Sequence, residues 1–350
     1  MSCCFGGSSV RRRRSSNNCS HHEARDTGGH SVGTTTNFSY TELKEATNNF
    51  SQVNKIGRGG FGTVYKGTLR GLQVAVKALS AESRQGIREF LTEIETISNV
   101  KHPNLVELIG CCVHGDNRLL VYEYLENRSL DRALFGQRRD ANLDWRTRAA
   151  ICIGTAEGLA YLHEILVPHI VHRDIKASNI LLDKDYKPKI GDFGLAKLFP
   201  ENITHISTKI AGTTFGVLIL EVISARSSSS INWGGQQKLL LERAWELYEG
   251  GNLLELVDSE LGQYPEKEVL KYMKVALFCT QANASRRPMM SQVIDMLSKD
   301  IRLNEKELTP PGFFQDSDKR GSPSKQNLSA TSTSRPMSSA PFTITQVTAR

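Results

Sequence analysis

Gly57, Gly59 and Gly62 are spaced G-x-G-x-x-G, with Val64 two residues further on. Glycines in such a run let the backbone come close to phosphate oxygens and adopt positive φ, so the chemistry they suggest is phosphate binding. A dinucleotide-binding version of the pattern calls for a helix at the last glycine. Thr63-Val64-Tyr65-Lys66-Gly67 instead reads as strand, turn and strand, and taken alone a plain Gly-rich hairpin explains it as well. Val74-Ala75-Val76-Lys77 follows as an alternating strand, with Lys77 on the face opposite Val76. A strand lysine is ordinarily just solvated. Glu93, sixteen residues on, falls beside the apolar stripe of the next helix, where an ion pair would hold the ammonium against phosphate oxygens. Glu89 and Glu95 read as solvent-facing.

The elements that must carry these residues divide by period. Val53 to Leu79 reads as three short strands. From Ser83, the apolar Ile87, Phe90, Leu91, Ile94 and Ile97 recur at helical spacing. After Leu130 the pattern is mostly helical, as in Arg148 to Glu164 and Glu268 to Cys279. A small β-rich part therefore precedes a larger α-rich part. Residues 1–37, rich in Ser, Gly, Asn, His and Arg, read as a disordered basic tail, and 305–350 as a disordered Ser/Thr/Pro-rich one.

The 350 residues hold 44 Lys and Arg against 37 Asp and Glu, a net +7. Of this, +3 lies in residues 1–36 and +2 in 305–350, leaving +2 for the middle. A nearly neutral body excludes a dedicated nucleic-acid binder, whose basic face belongs on the fold. Seven cysteines without a C-x-x-C pair indicate neither a disulfide framework nor a zinc site, which suits a reducing compartment. The longest apolar run, Phe215 to Ile223, contains Glu221 and is far shorter than the roughly twenty residues a membrane span needs. No apolar secretory segment precedes Arg11 to Arg14.

His172-Arg173-Asp174-Ile175-Lys176-Ala177-Ser178-Asn179 is followed, thirteen residues past Asn179, by Asp192-Phe193-Gly194. With the Gly-rich loop and the Lys77 strand, these motifs in chain order resemble the eukaryotic protein kinases over residues 50–300. The resemblance implies an α+β, two-lobed kinase fold. A β-rich N-lobe over about 53–122 and an α-helical C-lobe over about 126–300 would enclose ATP between them. It implies that Gly57, Gly59 and Gly62 cover the phosphates, that Ile56, Val64 and Ala75 line the adenine pocket, and that Lys77 pairs with Glu93. Glu123 and Leu125 would offer hinge backbone groups and Tyr122 would guard the pocket. Asp174 would act on the substrate hydroxyl, Lys176 would steady the transferred phosphate, and Asn179 and Asp192 would hold Mg²⁺. His172 would be structural.

The segment 38–52, from Phe38-Ser39-Tyr40 through Asn48-Asn49-Phe50, resembles the lead-in of plant receptor-like kinases, as do Gly110-Cys111-Cys112 and Ser285-Arg286-Arg287-Pro288-Met289. Without a membrane span, the resemblance is to a receptor-like cytoplasmic Ser/Thr kinase with protein substrates and an upstream receptor kinase. Arg173 implies activation by loop phosphorylation, with Ser207 and Thr208 as the candidates in that loop and Thr213 bracing Asp174 and Lys176. Ser2 closes myristoylation, so Cys3 and Cys4 are the candidates for acylation, and with Arg11 to Arg14 they predict a peripheral place at the plasma membrane.

One departure cuts across this pattern. After Thr214 the family continues with a Gly-Tyr-x-Ala-Pro-Glu stretch and the start of a helix, whereas here Phe215-Gly216-Val217 follows at once. The clean edges are those of an in-frame exon omission. The glutamate expected to pair with Arg287 is gone, and an orphaned buried charge costs about 3–5 kcal/mol. The competing reading is therefore a nucleotide-binding pseudokinase, a scaffold or decoy.

Overall fold

The computed structural model describes residues 35–312, apart from 60–61, 80–83, 137–142, 201–203, 229–230 and 234–235. A two-residue strand, β1 (Thr36–Asn37), and a short helix, α1 (Tyr40–Ala46), precede β2 (Lys55–Gly59), β3 (Gly62–Leu69) and β4 (Leu72–Leu79). Helix α2 (Arg84–Ile97) leads to β5 (Leu108–His114) and β6 (Asn117–Glu123). The six strands form one sheet in the order β1-β5-β6-β4-β3-β2, antiparallel except where β1 joins β5. The three strands expected between Val53 and Leu79 are β2, β3 and β4.

Period-2 alternation gives this sheet two different faces. Val74, Val76, Leu119 and Val121 pack on one side with Phe38 and Leu43, which α1 brings across the sheet. Ala75, Leu120 and Tyr122 point the other way, into the main core. Ser39 starts α1 as a capping box: its hydroxyl accepts from the Glu42 amide at 3.2 Å, and the Glu42 carboxylate accepts from the Ser39 amide at 3.0 Å. Leu43 and Thr47 are completely buried. The lead-in is thus an integral layer of the N-lobe, and its strand takes in Thr36 and Asn37, which the sequence assigned to a disordered tail.

The second half begins with α3 (Leu130–Phe135) and α4 (Trp145–Ala160). Four short strands follow, β7 (His169–Val171), β8 (Ile180–Leu182), β9 (Pro188–Ile190) and β10 (Lys197–Phe199), pairing as β7–β10 and β8–β9. Helix α5 (Thr204–Ser224) crosses the lobe, and a small hairpin of β11 (Ile231–Trp233) and β12 (Gln236–Lys238) precedes α6 (Leu240–Glu249), α7 (Glu266–Cys279) and α8 (Met290–Ser298). Phe215, Ile219, Leu220, Val222 and Ile223 of α5 are completely buried, so the longest apolar run of the chain is core. Gly216 lets α5 lie close on α7: a Cβ there would stand 2.6 Å from the Ala276 carbonyl oxygen. Among the described residues, no helix is long and apolar enough to cross a membrane.

The chain after α8 is also ordered further than its composition suggests. Lys274 reaches Glu305 at 2.6 Å, Thr309 donates to Gln281 at 3.1 Å, and Gln281 bridges Pro311. Residues 305–312, expected in the disordered tail, are therefore packed on the C-lobe. The remainder of both tails, including Cys3 and Cys4, lies outside the described residues.

Candidate active site

Lys77 is where the two lobes meet. The alternation of β4 turns it away from the lead-in layer, and its Nζ donates to Glu93 Oε1 at 2.7 Å and to Asp192 Oδ1 at 2.8 Å. Its side chain is 11% exposed and that of Glu93 is 0% exposed. Burial alone would depress the lysine's pKa, but the two carboxylates outweigh it and hold the ammonium above its ordinary range. Asp192 shows the same balance from the other side: burial opposes its charge, Lys77 favours it, and the result lies below the usual carboxylate value. The second oxygen of Glu93 accepts from the hydroxyl of Tyr122. Burial, and then the Glu93 charge, push that phenol well above its ordinary range, so Tyr122 stays a neutral donor.

The loop between β7 and β8 supplies the next groups. Asp174 Oδ2 accepts from Lys176 Nζ at 2.8 Å and from Asn179 Nδ2 at 3.0 Å. The Asn179 amide also donates to the Asp174 carbonyl at 2.8 Å, which leaves its side-chain oxygen for other use. Gly191 N–H donates to the Asn179 carbonyl at 2.9 Å and thereby ties this loop to the one carrying Asp192. Asp192 itself sits at φ 64°, a left-handed conformation that aspartate tolerates better than most residues. His172 is fully buried, its Nε2 is 3.0 Å from the Gly191 carbonyl oxygen, and its ring meets Phe193 edge-on at 4.7 Å. Burial lowers its pKa, so it is a neutral packing residue, as the sequence suggested.

Above these groups, Gly57 and Gly62 lie on β2 and β3, and Gly57 is paired with Val64. Only glycine suits position 62: φ is 142°, and a Cβ would stand 2.2 Å from the Ala78 carbonyl oxygen. Ile56 is 42% exposed, Val64 half-buried, and Ala75 is in register with Tyr122. Leu125 is buried. The Glu123 amide donates to the Glu107 carbonyl at 3.2 Å, so this hinge N–H is already engaged. Residues 50–230 match the protein tyrosine and serine/threonine kinase family. The chain belongs to that family.

Among relatives of this kinase, Cold-responsive protein kinase 1 of Arabidopsis thaliana is 47% identical over 326 residues, covering 85% of this chain and 84% of that protein. A probable LRR receptor-like serine/threonine-protein kinase of the same plant is 48% identical over 301 residues, or 80% of this chain. Another is 50% identical over 284 residues, or 74%. The matches cover only 29% and 30% of these two longer proteins.

Three features of the kinase were not read correctly from its sequence. Glu89 is 1% exposed, not solvent-facing; its Oε1 accepts from Gln85 at 2.8 Å and its Oε2 has no partner among the described residues. Conversely Ile87 and Leu91 are 42% and 59% exposed. Helix α2 turns Glu89, Phe90, Glu93 and Ile97 inward because it packs against Lys77 and Gly194 as well as apolar side chains. Glu89 stands one helical turn before Glu93, and that spacing was the available signal. The third is Arg287. It is half-buried and its guanidinium donates to the carbonyls of Gln281 at 2.7 Å and Ala282 at 3.2 Å, so the expected orphaned buried charge does not exist. Lys189, which the sequence did not single out, donates to Glu123 Oε1 at 2.8 Å and links the hinge to β9.

The region after Asp192 departs most from expectation. Ser207 and Thr208 fall within α5 and not in a loop. Arg173 is exposed. Thr213 Oγ1 is buried without a hydrogen-bond partner among the described residues, so it does not brace Asp174 or Lys176.

Proposed function

We propose that this chain binds MgATP between its lobes and carries the machinery of a protein Ser/Thr kinase, with turnover limited by the shortened segment after Thr214. The observation that carries this is the bridge from Lys77 to both Glu93 and Asp192, beside the cluster of Asp174, Lys176 and Asn179. Asp192 and the Asn179 side-chain oxygen form an all-oxygen donor set of the kind Mg²⁺ takes when substrate phosphates complete its shell. Bound there, Mg²⁺ would supply charge neutralisation at the β- and γ-phosphates. Lys77 holds the α/β-phosphates beneath Gly57, Gly59 and Gly62, while Ile56, Val64 and Ala75 flank the adenine and the backbone of Glu123 and Leu125 meets its edge. The acceptor Ser or Thr oxygen bonds to the γ-phosphorus as the bond to the β–γ bridging oxygen breaks. Its proton passes to Asp174, ADP leaves, and Lys176 steadies the transferred group.

A second reading, a nucleotide-binding scaffold or decoy without useful turnover, is favoured by the Thr213 hydroxyl, which has no partner among the described residues, and by α5 running through Ser207 and Thr208. One pair of measurements separates the two. MgATP at a hundred times its Kd should stabilise the chain by about 2.7 kcal/mol in thermal unfolding, and Asp192→Asn should remove most of that. No shift in the parent chain defeats both readings. Transfer to a generic Ser/Thr substrate that Asp174→Asn abolishes supports the enzyme, and its absence supports the scaffold.

We also propose a peripheral place at the cytoplasmic face of the plasma membrane, through acylation of Cys3 and Cys4 beside the basic Arg11 to Arg14. Protein substrates and an upstream receptor kinase acting on Ser207 or Thr208, with Arg173 as the phosphate's partner, complete the reading. If a Cys3→Ser/Cys4→Ser chain fractionates with membranes as the parent does, the acylation proposal fails.

A further inference from the structure

A second cleft, of about 690 Å³, lies in the C-lobe between α7 and the chain that follows α8. Sites for small ligands are typically about 300–1,000 Å³. Five cations line it. Lys267, Lys271 and Lys274 are spaced i, i+4, i+7 on one face of α7, and Arg302 and Lys306 stand opposite. Two of the five are spent on building the cleft. Lys271 donates to the carbonyls of Leu297 at 2.9 Å and Lys299 at 3.0 Å, where α8 ends, and Lys274 holds Glu305, the sole carboxylate of the lining, at 2.6 Å. Lys267, Arg302 and Lys306 are exposed and have no acidic partner among the described residues. Leu270 and Leu303 are half-buried in the wall, while Ile301 stands 41% exposed at the lip.

We infer that this cleft is a binding site for the headgroup of a phosphoinositide in an anionic bilayer. Lysines bind phosphate as point charges and arginine grips it bidentately, so three uncommitted cations around one concavity call for a ligand carrying more than one phosphate. The chain itself offers no such anion. Residues 1–34 hold five Arg against two acids, and 313–350 hold five Lys and Arg against two Asp, so both tails share the sign of the cleft. A lipid surface suits a cleft whose lip carries Ile301 beside Arg302, because an apolar contact at the glycerol level accompanies the charge contact at the headgroup. The site is independent of Cys3 and Cys4.

The test uses the full chain with Cys3→Ser/Cys4→Ser, so that acylation plays no part. It is sedimented with phosphatidylcholine vesicles containing phosphatidylinositol bisphosphate, or enough phosphatidylserine to give the same surface charge. The phosphoinositide vesicles should bind more tightly. Lys267→Gln/Arg302→Gln/Lys306→Gln should weaken that binding by on the order of a hundredfold, while Arg11–Arg14→Gln should weaken both vesicle types alike. In the unsubstituted full chain, the phosphoinositide vesicles should also protect Lys267 and Lys306 from acetylation, a readout that stands even if the triple variant folds poorly. Equal binding to phosphatidylserine, or unchanged binding by a folded triple variant, would overturn the site. Protection by soluble inositol trisphosphate without vesicle binding would overturn the lipid in favour of a free phosphate ligand.

Discussion

The nucleotide side of the cleft and its acceptor side are built differently. On the nucleotide side, Lys77, Glu93, Asp192 and the Tyr122 hydroxyl satisfy one another in a closed set. On the acceptor side, Thr213 carries a buried hydroxyl with no partner among the described residues, and the helix containing it begins at Thr204. The difference follows from what positions each group. Lys77 and Tyr122 sit on β4 and β6, which pair directly, and Glu93 sits on a helix that packs against this sheet. None of this depends on the chain beyond Phe199. The acceptor side depends on the path from Asp192 to Phe215, and that path lacks the Gly-Tyr-x-Ala-Pro-Glu stretch that the resemblance implies. A site can therefore keep one half of its chemistry while the other half loses its alignment.

The largest expected effect comes from the closed set. Lys77→Met leaves Glu93 and Asp192 facing each other without their cation, a change that typically costs about 3–5 kcal/mol for buried pairs. Urea unfolding with an unchanged m-value should show it, and stabilisation by MgATP should vanish. A loss below about 1 kcal/mol would place the pair among weakly coupled, solvent-screened ones and would dissolve the contrast between the two sides.

The next effect sharpens the contrast from the acceptor side. Inserting the family's missing stretch between Thr214 and Phe215 should raise phosphate transfer about a hundredfold or more, since a misplacement of roughly 1 Å can cost that much. Asp174→Asn in the lengthened chain should remove the gain. The MgATP shift should stay as it was. If the insertion changes nucleotide binding as strongly as turnover, the two sides are not separable.

Smaller again is Tyr122→Phe. It deletes the hydroxyl that serves the second oxygen of Glu93 but keeps Lys77 on the first, so a loss of about 1–2 kcal/mol is expected by thermal or denaturant unfolding. A neutral outcome would mean that water replaces the phenol and that the set closes without it.

Much of this was legible before the structure. The β4 alternation that puts Lys77 opposite Val76 is a period-2 fact, Glu93 follows from its place beside the apolar stripe of the next helix, and Asp174, Asn179 and Asp192 follow from the motifs that resemble the protein kinases. What stayed hidden depends on three-dimensional company. Thr36 and Asn37 look like tail because two residues carry no period, yet β5 offers them an open edge. Residues 305–312 look like disordered tail because their partners, Lys274 and Gln281, lie on and just after a helix far back in the chain. Arg287 looks orphaned in the sequence because the glutamate that the resemblance implies is not there, while backbone carbonyls, invisible to residue type, accept its protons. Ser207 and Thr208 looked like loop. With no Ala-Pro-Glu stretch between them and Phe215, they are continuous with an apolar helix, which extends at little cost once nucleated.

The smallest predicted effect runs against intuition, because removing a charge beside the active site should stabilise the protein. Glu89 touches Gly194 closely enough that a Cβ there would be 3.0 Å from its Cγ, and it is 1% exposed with one oxygen unpartnered among the described residues. Burial is the main reason its carboxyl titrates above the ordinary 4.5; Gln85 and Lys77 oppose this, and Asp192 and Glu93 add to it. Between that ordinary value and its raised one, the folded state holds more protons than the unfolded state, so stability falls as pH rises through the window. Glu89→Gln has no such dependence and keeps the side-chain shape. At neutral pH it should therefore be more stable than the parent by about 1 kcal/mol, with the advantage closing as pH falls toward 4.5. Paired unfolding curves at several pH values would decide it. A variant less stable at neutral pH, or a difference that ignores pH, would mean that the second oxygen of Glu89 makes a contact worth more than its buried charge costs.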